Sequence, residues 1–262
     1  MKGLLHILFT LLSATSLLGL LPSCHTQKSI FTPEERREAD SIVHQAKTLQ
    51  ELELLHRRLD QEGHRLASIV ALREWGRGLR HESRFDEALL VHNKAAEAAQ
   101  SLRDTLEWIR ALNDIGTNYR RIGALDIAQL YHYQAWMMSQ EHSDTTTQAK
   151  KNQVISLNGL GNIYMAIGNY QRADSALRIA LAGETAIGSL VGQAMNYANL
   201  GAIFEHKGML DSAWHYYRLS MQFNKQDHNT LGISLCHTYF GSLYEKAEDY
   251  EHAIAEYQKA YE

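Results

Sequence analysis

Small and large apolar residues alternate along most of this chain with a fixed period. Five glycines set in apolar runs mark that period, and they are Gly76, Gly116, Gly161, Gly201 and Gly241. The interval between successive anchor glycines is constant, except that the one before Gly161 is longer by five positions. A leucine or an aromatic residue follows each anchor glycine by three positions, and an alanine follows each by twelve. Small residues let two helices approach closely, and large ones fill the space beside them. The pattern therefore predicts an all-α fold of five units, each made of two antiparallel helices.

A turn between the two helices of a unit is predicted seven positions after each anchor glycine. Gly123, Gly168 and Gly208 occupy this position, where a helix C-cap favours positive φ. Ser83 and Glu248 replace glycine in the first and last units. The sequence specifies those two turns less strongly.

Three segments depart from the period. The longer interval before Gly161 falls in the polar residues 139–153, where we predict an inserted loop. Residues 33–66 have apolar positions at helical spacing but no anchor glycine, and they begin with Pro33, a favourable helix start. We expect them to form a degenerate first hairpin that caps the array. The fifth unit stops inside its second helix at Glu262, so it looks truncated, and we expect a longer parent protein because such arrays need a polar closing element.

The third unit carries the pattern most completely. It reads Leu157-Asn158-Gly159-Leu160-Gly161-Asn162-Ile163-Tyr164, then Gly168-Asn169-Tyr170 and Ala173. These segments resemble tetratricopeptide repeats, and the resemblance covers the five units at residues 67–262. The period exceeds the ~34 residues of the standard repeat, and the usual early tryptophan and closing proline are missing. The resemblance implies a right-handed α-solenoid of antiparallel helical hairpins that binds proteins or extended peptides.

In this family the first helix of each unit lines the inner surface, which implies a set of binding residues. Arginines would bind carboxylates of an acidic peptide, and amides would pair with its backbone. The alternative is that these positions are simply the solvated faces of amphipathic helices. The expected binding residues are Arg73, Arg77, Arg80, Arg110, Asn113, Arg120, Arg121, Asn158, Asn162 and Asn199.

Composition and motifs argue against other classes of function. The formal charge is −4 and no long basic run occurs, so nucleic acid is not an expected partner. The 14 histidines form no metal-binding motif, and no catalytic elbow or complete phosphate loop is present. We expect no metal, no cofactor and no enzymatic activity. His92 and His132 stand sixteen positions after successive anchor glycines, which predicts that they pack between helices.

Residues 1–24 look separable from the fold. Lys2 precedes an apolar stretch, residues 4–21, that has the layout of a signal peptide. The stretch ends in Leu21-Pro22-Ser23-Cys24, which resembles a bacterial lipobox although the proline is unusual. The resemblance implies a lipid on Cys24, with residues 25–66 as linker and capping helices. A cleaved signal peptide without lipid and an uncleaved anchor helix are the alternatives.

Together these features favour a non-enzymatic scaffold, anchored by lipid in the bacterial cell envelope and facing the periplasm or the surface. A second possibility is the extracytoplasmic sensor region of a longer histidine kinase or transcriptional regulator. A third is a glycan-binding lipoprotein for nutrient uptake that would use aromatic residues, although packing in the core accounts for most of the tryptophans, which are Trp75, Trp108, Trp136 and Trp214.

Overall fold

A computed structural model describes residues 30–141 and 147–261, and within these ranges the chain is built from helices alone. Twelve helices are described: α1 (Pro33–His44), α2 (Leu49–Gln61), α3 (Arg65–His81), α4 (Phe85–Ser101), α5 (Thr105–Arg121), α6 (Leu125–Glu141), α7 (Thr147–Ala166), α8 (Tyr170–Ala186), α9 (Leu190–His206), α10 (Leu210–Gln226), α11 (Thr230–Lys246) and α12 (Tyr250–Tyr261). Five antiparallel hairpins, α3–α4 to α11–α12, follow one another along the chain. The all-α solenoid predicted from the sequence is confirmed.

The period of the sequence has a simple structural origin. From α3 onward most helices contain 17 residues, and three-residue connections join them. A unit is therefore two 17-residue helices and two short connections. The exceptions are α7, which contains 20 residues, and α12, of which 12 residues are described.

Every described connection from α2 onward contains one residue in the left-handed region of φ. Ser83 and Glu248 adopt φ values of 61° and 60°, close to those of the glycines at equivalent turns. The Arg84 N–H then donates to the carbonyl of Leu79 at 2.9 Å, which closes the helix end. The two turns without glycine thus have the same geometry as the others.

The five anchor glycines all lie where the two helices of a hairpin touch. A Cβ on Gly201 would stand 2.5 Å from the ring of Tyr217, and one on Gly116 would stand 2.9 Å from the ring of His132. The facing residue is always sixteen positions after the glycine, and His92 and His132 are both buried there. Their predicted role as packing residues is confirmed.

Two predictions about segments outside the regular period need correction. Residues 139–141 belong to α6 and residues 147–153 to α7, so the predicted loop at 139–153 is mostly helix. Of that stretch, only residues 142–146 fall outside the described part.

The first two helices also do not form a regular hairpin. Ala39 and Val43 of α1 are buried in a cluster with Val70 of α3, and α2 packs on α3 as well. Direct packing of α1 on α2 is minor, because neither helix has an anchor glycine to allow close approach. Both helices cover α3 separately.

The array curves with the first helices of the hairpins on the inside. Helices α3, α5, α7, α9 and α11 touch one another in succession, whereas the second helices make no comparable contacts with each other in the described ranges. We call the surface formed by these five first helices the inner groove. None of the helices described is long and apolar enough to cross a membrane. The predicted signal peptide and Cys24 lie outside the described residues.

Candidate functional site

At the N-terminal end of the inner groove, charged side chains of α3 and α5 form a largely buried cluster of ion pairs. Arg73 is fully buried and donates to Glu107 at 3.0 Å and to Asp114 at 3.1 Å. Arg77 donates to Asp114 at 2.9 Å, and Arg110 donates to Glu107 at 2.7 Å. Burial opposes ionisation, but the charges of Arg110 and Arg73 outweigh it and hold the pKa of Glu107 at about 2. Three of the arginines assigned to peptide binding are therefore paired with the chain's own carboxylates.

Helix α1 lies over this cluster. The Arg36 guanidinium reaches Asp104 at 2.7 Å and Glu107 at 3.2 Å, past α3 and onto the start of α5. Asp104 also caps α5 by accepting from the Glu107 N–H at 3.1 Å. A cleft of about 460 Å³ remains between α1, α2, α3 and α5, with Glu74 and Arg110 among its lining.

Sequence reasoning did not find Arg36, Asp104 or Glu107. One signal was present, because Arg36 shares a helical face with Ala39 and Val43 and so puts a charge on an apolar stripe. A charge at such a position needs a buried partner.

A second buried network uses Asn113, one of the predicted amides. Asn113 donates to the hydroxyl of Ser156 at 2.9 Å and accepts from His132 Nδ1 at 2.9 Å. Burial lowers the pKa of His132 to about 4, so its ring is neutral at pH 7. Asn158 is also buried, with only 6% of its surface exposed. In this conformation Arg73, Asn113 and Asn158 present almost no surface to a ligand.

The middle of the groove is open and positively charged. Arg120 is half-buried, and its pKa is lowered first by burial and then by the charges of Arg121 and Arg80. No ion pair joins Arg120 or Arg121 to an acid in residues 30–141 or 147–261. Arg80 already has partners within the chain, because it donates to Asn118 at 3.3 Å and lies 3.7 Å from Asp114.

Two amides of the inner groove meet across neighbouring hairpins. Asn199 of α9 donates to the side-chain oxygen of Asn162 of α7 at 3.2 Å. Both side chains are partly exposed. The structure thus leaves Arg80, Arg120, Arg121, Asn162 and Asn199 at least partly exposed, whereas it buries or neutralises the other five.

In the last two units, charged side chains of the groove pair with one another. Glu205 accepts from Ser242 at 2.7 Å and pairs with Lys246 at 3.1 Å, so charges there are largely satisfied locally. No group of three or more metal-binding side chains occurs in the described part of the chain.

Comparisons with known proteins identify the fold. The sequence matches no protein-family model and no curated protein. Among solved structures, BtubC from P. vanneervenii is similar, with a TM-score of 0.65 and 19% identity over 88% of this chain and 90% of that one. The Rap conjugation gene regulator of plasmid pLS20, in complex with the Phr* peptide, has a TM-score of 0.66 and 18% identity over 87% of this chain and 67% of that one.

The apo form of the quorum sensor NprR from B. thuringiensis has a TM-score of 0.63 and 16% identity over 87% of this chain and 63% of that one. The chain thus spans about two thirds of the Rap and NprR chains. At these identities the likeness establishes the fold alone. That fold is a tetratricopeptide-type solenoid of helical hairpins, as the resemblance in the sequence implied.

Proposed function

We propose that this chain is a scaffold that binds proteins or extended peptides in its inner groove. The observation that carries the proposal is the pair Arg120 and Arg121, which stand at the groove surface with no ion pair in the described residues. Buried or half-buried charges in proteins usually have partners. An external carboxylate would supply one here.

The adjacent amides supply the second part of the site. Asn162 and Asn199 can each both donate and accept, so they can pair with the backbone of a peptide whatever its sequence. Their mutual hydrogen bond, at 3.2 Å, would be exchanged for bonds to the ligand. A peptide with an acidic side chain or a free C-terminus near Arg120 and a chain running towards α9 fits this arrangement.

Support also comes from a protein of similar fold, since the Rap regulator of pLS20 was solved with a bound Phr* peptide. The regular helices of the hairpins would hold the binding side chains in place before the ligand arrives, which reduces the entropy lost on binding.

The test is charge reversal at the two open arginines. The double variant Arg120→Glu with Arg121→Glu should lose at least tenfold in affinity for acidic extended peptides, because a charge-assisted hydrogen bond contributes about 1.5–3 kcal/mol. Isothermal titration with an acetylated peptide of alternating Asp and Gly measures this. Arg172→Glu, an exposed arginine on the second helix α8, is the control.

Equal affinity in the double variant, or no binding by the unaltered chain, would contradict the proposal. Arg73, Arg77 and Arg110 are unsuitable for this test because their reversal would break buried ion pairs.

Attachment to the bacterial envelope through Cys24 is part of the same proposal, and the lipobox-like residues 21–24 support it. Feeding cells an alkyne-bearing fatty acid should label the unaltered chain and leave Cys24→Ser unlabelled. Label on the Cys24→Ser chain would contradict lipid attachment at Cys24.

A regulatory sensor is the second candidate, and two similar structures are described as a gene regulator and a quorum sensor. Transcription or kinase output that changes with peptide and disappears in the double variant would favour it over a passive scaffold. A membrane-spanning stretch of about 20 apolar residues encoded after Glu262 would point the same way.

A further inference from the structure

A second cleft lies between α10, α11 and α12, away from the positive region of the inner groove. Its volume is about 310 Å³, which is at the small end of known ligand sites and large enough for one bulky side chain. We call it the outer cleft. Its lining includes Trp214, Arg218, Met221, Lys225, Phe240 and Tyr244.

The floor of the outer cleft is apolar, and its rings pack on one another. Trp214 stacks on Phe240 with ring centroids 5.1 Å apart and meets Tyr244 edge-on at 4.9 Å. The Arg218 guanidinium lies 5.4 Å from the Trp214 ring. Phe240 and Arg218 thus already stack on the indole, so the site is poorly suited to a sugar, which needs an open aromatic face. It suits a side chain that packs among ring edges.

The hairpin before this one shows what is unusual about Arg218. Its equivalent, one repeat earlier, is Arg178, which donates to the carboxylate of Asp174 at 2.8 and 3.0 Å. At the position equivalent to Asp174 the next hairpin has Trp214. Both hairpins therefore have the arginine, but in the second an aromatic ring occupies the position that the acid has in the first.

No other acid replaces that partner within residues 30–141 and 147–261. Glu256 lines the cleft, but it accepts from His237 at 2.7 Å and from Lys259 at 2.6 Å. Lys225, also in the lining, forms no ion pair in the same ranges. The outer cleft thus combines an apolar floor with two positive charges that lack a carboxylate.

We propose that the outer cleft binds a short linear peptide segment in which a large apolar side chain stands next to a carboxylate. The apolar side chain packs on Met221, Phe240 and Tyr244, and the carboxylate pairs with Arg218 and Lys225. Charge complementarity selects an acidic segment over a neutral one. The site gives the scaffold a second contact, on a surface that the inner groove does not use.

The probe is the peptide acetyl-Gly-Phe-Glu-Gly-amide, with analogues that replace Glu by Gln or Phe by Gly. Binding is followed by the indole N–H signal of Trp214 in a two-dimensional NMR spectrum, assigned with Trp214→Phe. We expect each analogue to bind about tenfold more weakly than the probe. Arg218→Gln should weaken the probe to the same extent, and Lys225→Gln should weaken it less.

The matched control is Arg178→Gln, which changes the equivalent arginine in the preceding hairpin and should leave probe affinity unaltered. The inner-groove double variant at Arg120 and Arg121 should also bind the probe normally, which separates this inference from the proposed function. The proposal would be overturned if about 1 mM probe caused no shift of the Trp214 signal. Equal binding of the Gln analogue, or loss of probe binding only in the inner-groove variant, would also overturn it.

Discussion

At the scale of single residues, one position shows how different side chains fill the same space. His132 packs against both Gly116 and Gly159, whose added Cβ atoms would lie 2.9 and 2.4 Å from its ring. Leu177 and Tyr217 fill the equivalent space in the next two hairpins, against Gly161 and Gly201. The histidine therefore serves packing, and its ionisation opposes folding.

The pH dependence of stability should reveal this. Burial lowers the pKa of His132 from 6.5 to about 4, so the unfolded chain takes up the proton first as the pH falls. Stability is then lost between pH 6.5 and pH 4, by up to about 3 kcal/mol for this group. His132→Leu should flatten that part of the profile, although it lowers stability at neutral pH because the side-chain oxygen of Asn113 loses its donor.

Urea denaturation at about pH 7 and about pH 5 measures the effect. The reverse change Leu177→His, in the equivalent space of the next hairpin, should make the fall steeper. Identical pH profiles for the unaltered chain and His132→Leu would contradict this account.

At the scale of elements, the connections between helices are built from one backbone geometry. Ser83 holds φ at 61° without being glycine, whereas Gly208 holds φ at 72°. A left-handed φ costs a residue with a side chain roughly 1–2 kcal/mol. The greater flexibility of unfolded glycine offsets part of that cost.

Exchanging the residues at these turns should shift stability in opposite directions. Ser83→Gly should raise the free energy of unfolding by up to about 1 kcal/mol, and Gly208→Ala should lower it by about 1 kcal/mol. The urea midpoint reports both changes, provided the slope of the transition is unaltered. A lower midpoint for Ser83→Gly would show that its hydroxyl contributes a bond that matters more than the strain.

The helices, their pairing and the turns could be predicted because all three depend on local, repeated patterns. The anchor glycines identified the inter-helix contacts within the hairpins. The packing of α1 could not be predicted in the same way. It depends on a contact between Arg36 and Glu107, 71 residues apart, about which the repeat period gives no information.

The charge of the groove escaped prediction for a related reason. All six arginines of the expected binding set lie in the first two units, but Glu107, which was not in that set, neutralises Arg73 and Arg110. The predicted loop at residues 139–153 failed because polar composition does not distinguish a loop from the exposed start of a longer helix.

At the scale of the whole molecule, the two ends are stabilised by different interactions. Ion pairs join α1, α3 and α5, as in the bonds of Arg36 and Arg73 to Glu107. Stacked rings join α9, α10 and α11, as in the pair Tyr217 and Tyr239 at 4.7 Å. Below the range in which His132 titrates, acid should therefore weaken the ion pairs of α1, α3 and α5 as the pH falls from about 4.5 towards the pKa of Glu107 at about 2.

Removing Arg36 should detach α1. Arg36→Gln leaves Asp104 and Glu107 with fewer positive neighbours in a buried site, and losing one member of such a group typically costs about 3–5 kcal/mol. We expect faster amide hydrogen exchange in α1 and at the start of α5. Arg37→Gln, on the exposed side of the same helix, is the control and should exchange like the unaltered chain.

The reach of Arg36 past α3 also couples helices that are not neighbours. Units that touch only their neighbours can open singly. On the side of α1, however, the bonds of Arg36 to Asp104 and Glu107 mean that α1 cannot lift without releasing a helix beyond its neighbour. Opening of α1 should therefore loosen the start of α5 at the same time, so limited proteolysis should cut both segments together or neither.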